Sequence, residues 1–234
     1  MPSTPMSKLL LEARNVSLDY PIGLYPQQGL RDAFIRSLTA PFTYFFKRPE
    51  ILPVLRGVNL KLYEGDRLGV LGVNGAGKTS FSRVLCGMIR PTVGVVESFG
   101  KIEAVFETGH GIMPELTGRE NAILLSQLFY DDDLDPKLLD EALAFSELGV
   151  FLDAPFKTYS KGMQARLLLS LISSTLSDVL ILDEVFDGAD MFFKEKIAQR
   201  MRKKIQFSGA VILVSHSAGQ IHELCNRVIV LDRG

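Results

Sequence analysis

The stretch Gly72-Val73-Asn74-Gly75-Ala76-Gly77-Lys78-Thr79 has the spacing GxxxxGK[ST]. It lies between residues 66–72, which read as a short apolar strand, and residues 77–88, which read as a helix. That strand–loop–helix setting is what gives the motif its specificity. Glycines let backbone N–H groups turn inward around phosphate oxygens, and a helix N-terminus adds the positive end of a dipole. A lysine at position 78 supplies a charge for β- and γ-phosphates, and the Thr79 hydroxyl is a ligand for Mg²⁺. Gly72, Asn74, Gly75, Ala76, Gly77, Lys78, Thr79 and the adjacent Ser80 are therefore the candidate nucleotide-binding set. The competing reading is a glycine-rich turn with a chance lysine.

Working outward, strand and helix patterns alternate. Residues 8–20 and 55–63 read as strands, and 94–106 as a strand pair. Residues 118–130 and 137–150 carry helical periodicity, with Asp135 as a cap before Pro136, and 161–176 form a long helix. Two fully apolar runs, 179–183 (VLILD) and 210–215 (AVILVS), flank a charged helix at about 192–206. A last run, 227–232 (RVIVLD), follows. Such runs are typical of central parallel strands, and the alternation predicts an α/β sheet with crossovers.

The run 179–183 ends in two carboxylates, Asp183 and Glu184. Strand-end groups of an open α/β sheet face the crevice where ligands bind. There Asp183 can hold Mg²⁺, and Glu184 can orient and deprotonate an attacking water. Alone, the pair would read as solvated acids capping a strand; the loop upstream favours the catalytic reading. His216 follows the next apolar strand, where a neutral imidazole can bond a γ-phosphate or that water. Lys78, Glu184 and His216 are the candidate catalytic residues, and His110 and His222 have no such context.

Composition narrows the class. Lys and Arg number 26 against 27 Asp and Glu, so the balanced charge gives no sign of nucleic-acid binding. Hydrophobic residues make up 47% of the chain, enough for a full core. Cys86 and Cys225 lack metal or disulfide spacing and read as buried thiols of a reducing compartment. The first eleven residues do not read as a signal peptide, and the longest apolar stretch, 167–182, is broken by serines and Asp178. A membrane role would come through a partner.

Tyr159-Ser160-Lys161-Gly162-Met163 stands about twenty residues before Asp183. It resembles the Ser-x-Gly signature of ABC ATPases in the YSSGM form of one branch. That branch comprises the ATP-binding subunits of exporters for O-antigen, capsular polysaccharide and teichoic acid. Residues 107–121 (ETGHGIMPELTGREN) and Asp183-Glu184-Val185 look like the same branch. The resemblance covers about residues 10–234. It implies one ABC ATPase domain over 1–234: a P-loop core, an antiparallel β portion and a helical sub-domain at roughly 110–175. It also implies ATP and Mg²⁺ as ligands. Tyr20 matches the aromatic that stacks on adenine, with Tyr25 a second candidate. Ser160 and Gly162 match the signature that contacts ATP held by the opposite protomer, and Asp190 matches a loop at the dimer interface.

Glu107 stands where the family usually has glutamine, and can bind Mg²⁺ or water. Lys161 replaces a small residue in the signature. The chain stops at Gly234, where relatives normally continue, some with a carbohydrate-binding domain.

The expected function is ATP hydrolysis driving export of a lipid-linked polysaccharide. The expected partners are a second copy of the chain and a polytopic permease, at the cytoplasmic face of the inner membrane, with no nucleic acid. The alternatives are another ABC exporter or a soluble ABC ATPase that does not transport. Residues 21–54, rich in proline and aromatics, form an insertion. They read either as a loop packed on the core or as an amphipathic element, 29–39 with 42–47, facing the permease or lipid.

Overall fold

The computed structural model describes residues 7–22, 50–106, 112–130, 135–183, 191–215 and 217–232. Two long strands, β1 (Leu9–Ile22) and β2 (Glu50–Tyr63), pair antiparallel, and β4 (Val93–Ser98) adds to the other side of β1. The order is β2-β1-β4. Pro53 is accommodated because β2 lies at the edge of this sheet. Pro21 fits because it lies beyond the residues of β1 that pair with β4. Residues 21–22 and 50–54, expected as the ends of an insertion, are thus strand. Residues 23–49, including Tyr25, lie outside the described residues.

A second sheet is parallel. Its strands are β3 (Arg67–Leu71), β5 (Ile102–Val105), β6 (Val179–Asp183), β7 (Ala210–Val214) and β8 (Arg227–Val230). The order is β5-β6-β7-β3-β8. The two strands expected over 94–106 therefore part: β4 joins the antiparallel sheet, and β5 the parallel one. The break is held by Asp178, whose Oδ2 accepts the Lys101 N–H at 2.8 Å, while Val179 N–H donates to the Lys101 carbonyl at 3.0 Å. That clamp starts β5 beside β6.

Each helix follows from its local signals. α1 (Lys78–Leu85) opens directly from the glycine loop, and α2 (Gly118–Tyr130) from a reciprocal cap. In that cap Glu120 N–H donates to Thr117 Oγ1 at 3.1 Å, and Thr117 N–H donates to Glu120 Oε2 at 2.8 Å. α3 (Pro136–Ser146) begins at Asp135, which accepts the Lys137 N–H. It ends where Glu147 turns left-handed, and short 3₁₀ turns at Gly149–Asp153 and Phe156–Thr158 follow. The helix expected over 161–176 is α4 (Lys161–Ile172). α5 (Met191–Phe207) and α6 (Ala218–Leu224) cross between the last three strands. No helix among the described residues is long and apolar enough to cross a membrane.

The parallel sheet separates two apolar cores. Val179 and Ile181 of β6, with Ala210, Ile212 and Val214 of β7, pack toward the antiparallel sheet and α1. Leu180, Leu182, Val211 and Leu213 face the core shared with α2, α3, α4 and α5. Every β6 residue is buried, which explains why its sequence is apolar without alternation. Burying each such side chain contributes about 1.5–3 kcal/mol.

One charged pair breaks this pattern. Glu103 of β5 and Lys204 of α5 meet at 2.5 Å with both side chains 1% exposed. Lys204 also donates to the Ile172 carbonyl at the end of α4. Burial holds the Lys204 ammonium below the ordinary lysine range, and the Glu103 charge opposes that shift.

Candidate nucleotide site

The glycine loop leaves the carboxyl end of β3 and enters α1 at Gly77, whose φ of 93° and ψ of 9° are left-handed. A Cβ there would lie 2.9 Å from the Val54 carbonyl oxygen, so only glycine fits without displacing the backbone. The Gly77 carbonyl accepts from Phe81 N–H at 2.8 Å and starts the helix. No side chain caps this N-terminus and no acidic residue stands in its first turn. Its leading N–H groups therefore remain available to an anion.

Lys78 is buried, and its ammonium donates to the carbonyls of Gly72 at 2.8 Å and Val73 at 3.2 Å. Among the described residues no carboxylate pairs with it. The loop thus holds a cation braced by its own carbonyls beside an uncapped helix end. That donor set fits a polyphosphate.

A cleft of about 450 Å³ opens over the loop, lined by Tyr20, Leu52, Val54, Asn74, Gly75, Gly77, Lys78, Thr79 and Ser80. Seven of the residues singled out in the sequence thus meet in one place. Tyr20 and Leu52 are direct cross-strand partners of β1 and β2, so they share a face of the ribbon. The Tyr20 hydroxyl lies 3.4 Å from Ser80 Oγ, joining the ribbon to the start of α1. Leu52 and Val54 were missed as cleft residues. Both fall within 21–54, read as an insertion; the pairing of Leu52 with Tyr20 and the approach of Val54 to Gly77 place them.

Gly72 and Ala76 belong to the loop but do not line the cleft, and Ala76 is buried beneath it. Asp183 is buried at the carboxyl end of β6, in register with Val214. β7 lies between β6 and β3, and all three run parallel. Asp183, Ser215 and the glycine loop consequently share one edge of the sheet. Side-chain bonds hold Ser215 and Ser217 at the end of β7. Ser215 Oγ donates to Gln220 Oε1 at 2.7 Å and accepts the Ser217 N–H at 3.0 Å. Neither serine stands out in the sequence.

Ser160 is the N-cap of α4, its Oγ accepting Met163 N–H at 3.2 Å. That bond uses the hydroxyl oxygen as acceptor and leaves its hydrogen to donate. Ser160 and Gly162 do not line the cleft. The preceding Tyr159 is buried, its hydroxyl donating to the Phe151 carbonyl at 2.5 Å. Glu107, Glu184, Asp190 and His216 lie outside the described residues.

A glycine loop of this geometry, at the carboxyl edge of a parallel sheet, defines a P-loop nucleotide triphosphatase. The chain belongs to the ABC transporter family, matched over residues 55–187, and is an ATPase of that family. It is 37% identical over 98% of its length to the ABC transporter protein AbcA of Aeromonas salmonicida, covering 72% of that protein. It is 35% identical to the O-antigen export system ATP-binding protein RfbE of Yersinia enterocolitica, over 94% of this chain and 93% of the other. The teichoic acids export ATP-binding protein TagH of Enterococcus faecalis is 33% identical over 90% of this chain, which spans 47% of it. In fold the chain is similar to a dimeric post-hydrolysis ATP-binding cassette bound to ADP and Pi. The TM-score is 0.72 at 22% identity, over 96% of this chain and 95% of that one.

Proposed function

We propose that this chain is the ATP-hydrolysing subunit of a transporter that exports a lipid-linked polysaccharide across the cytoplasmic membrane. It works as a homodimer docked beneath a polytopic permease, peripheral to the membrane. The observation that carries the export reading is the likeness to an O-antigen export ATPase along nearly the whole of both chains. The Tyr-Ser-x-Gly-Met signature at 159–163 supports it.

Within the site, Tyr20 stacks on adenine against the apolar wall of Leu52 and Val54. Lys78 turns from its loop carbonyls toward the β- and γ-phosphate oxygens, and the N–H groups that open α1 hold the same anion. The Thr79 hydroxyl, Asp183 and Glu107 would hold Mg²⁺, which would neutralise phosphate charge. Glu184 accepts a proton from the attacking water, and His216 donates to the phosphate it attacks. Ser160 donates its free hydroxyl hydrogen to a phosphate held by the partner protomer, where the N-terminus of α4 favours the anion. The helices between about residues 110 and 175 act as a sub-domain of the single domain.

Two substitutions test this in cells and in solution. Lys78→Ala should abolish tight ATP binding, and Glu184→Gln should bind ATP, stop turnover and trap a dimer seen by size-exclusion chromatography. Cells carrying only Glu184→Gln should lose surface polysaccharide and retain lipid-linked polymer inside. Normal surface polymer in those cells would refute the export reading, and wild-type turnover in either variant would refute the site.

A further inference from the structure

Glu103 stands on β5 at a position whose neighbours are core. It pairs in register with Leu180, and Val105 two residues on is buried in the same apolar cluster. A carboxylate there costs desolvation free energy that an apolar side chain would not. Its partner Lys204 reaches it from α5 and bonds the Ile172 carbonyl as well. That carbonyl is among the last four of α4, which have no acceptor role inside the helix. One buried ammonium therefore ties together the sheet, α5 and the carboxyl end of α4.

At its other end α4 begins with Ser160. Twelve residues of helix separate Ser160 from Ile172, about 18 Å at the helical rise. A helix of that length is axially stiff, so a slide at Ile172 arrives undiminished at Ser160. A second tie between α4 and α5 runs through Glu147, which meets Arg166 at 3.8 Å and also pairs with Lys196. That tie is half exposed and weak. The buried tie bonds the carboxyl end of α4 directly to α5 and the sheet.

We propose that Lys204 is a positioning residue for ATP hydrolysis: clasped between Glu103 and the Ile172 carbonyl, it sets the axial position of α4, and so the place of Ser160 relative to the sheet that carries the phosphate loop. This rests on the reading of Ser160 as a ligand of the partner protomer's ATP. Misplacing such a group by a fraction of an ångström weakens turnover while leaving single-protomer binding alone.

The test separates positioning from mere support of the fold. Replacing both members of a buried ion pair by apolar residues of similar size is often neutral or stabilising. Glu103→Leu with Lys204→Met should therefore melt at or near the wild-type temperature. It should bind ATP as an isolated protomer with unchanged affinity, yet lose at least about fivefold in kcat. Glu103→Gln, which keeps shape and an acceptor but leaves the Lys204 charge unmatched, should melt at a lower temperature and, assayed well below that temperature, lose about two- to threefold in kcat with KM unchanged. Wild-type kcat in the folded pair variant, or in Glu103→Gln if the pair variant does not fold, overturns the proposal. Ser160→Arg is measured alongside. Normal turnover there overturns the reading of Ser160 and the positioning role with it. Lost turnover there, with normal turnover in the pair variant, overturns the positioning role alone.

Discussion

Gly77→Ala probes whether the loop must hold the conformation seen at the start of α1. At φ 93° an alanine is strained, and its Cβ would stand 2.9 Å from the Val54 carbonyl oxygen and 3.2 Å from Val54 Cγ1. The carbonyl is part of β2, paired to β1, and has little freedom to retreat. Holding a non-glycine residue there costs about 2 kcal/mol. In the free protein the loop escapes that cost by shifting. Nucleotide binding must then restore the original shape, so affinity falls by about 30-fold, the equivalent of about 2 kcal/mol. Titration with a fluorescent ATP analogue measures this, with thermal melting in parallel. Gly87→Ala is the control: its φ is 79°, nothing lies within 4 Å of the added carbon, and it is outside the loop. It should lower the melting temperature and leave affinity unchanged. Binding by Gly77→Ala within about twofold of wild type would refute the argument.

Three further outcomes follow from the packing. Asn121→Ala removes a fully buried amide that accepts from Met113 N–H and donates to the carbonyls of Met113, Leu116 and Thr117. The stranded backbone groups should cost about 2–4 kcal/mol, read from denaturant midpoints. A Cβ on Gly118 would fall 2.0 Å from the Tyr159 hydroxyl, so Gly118→Ala should destabilise the protein. Adding Tyr159→Phe, which removes that oxygen, should recover part of the loss in the melting temperature. Cys225 has its thiol pushed up from 9.0 to about 11 by burial. At pH 8 it should therefore alkylate about 100-fold more slowly than an ordinary cysteine, measured by mass spectrometry on the folded protein.

Much of this architecture was legible because its signals are local. The glycine loop, the apolar runs of β6 and β7, and the cap at Asp135 each sit within a few residues of what they determine. What the sequence hid is non-local. Nothing near residues 94–106 says that one strand joins β1 and the next joins β6, because the decision belongs to Asp178, 77 positions from its bonded Lys101. A glutamate at 103 reads as solvent-facing until Lys204, 101 positions on, is brought against it. The site divides the same way. The loop residues are legible by spacing, whereas Leu52 joins the cleft through its pairing with Tyr20 and Val54 through its approach to Gly77.

The alternation of β6 and β7 has a consequence for cooperativity. Val179 and Ile181 belong to one core while Leu180 and Leu182, in the same strand, belong to the other. Neither core keeps its wall if the other melts. The half that grips phosphate and the half that carries Ser160 therefore have no independent melting transition. Calorimetric and van't Hoff enthalpies of unfolding should agree, as they do for a single two-state unit.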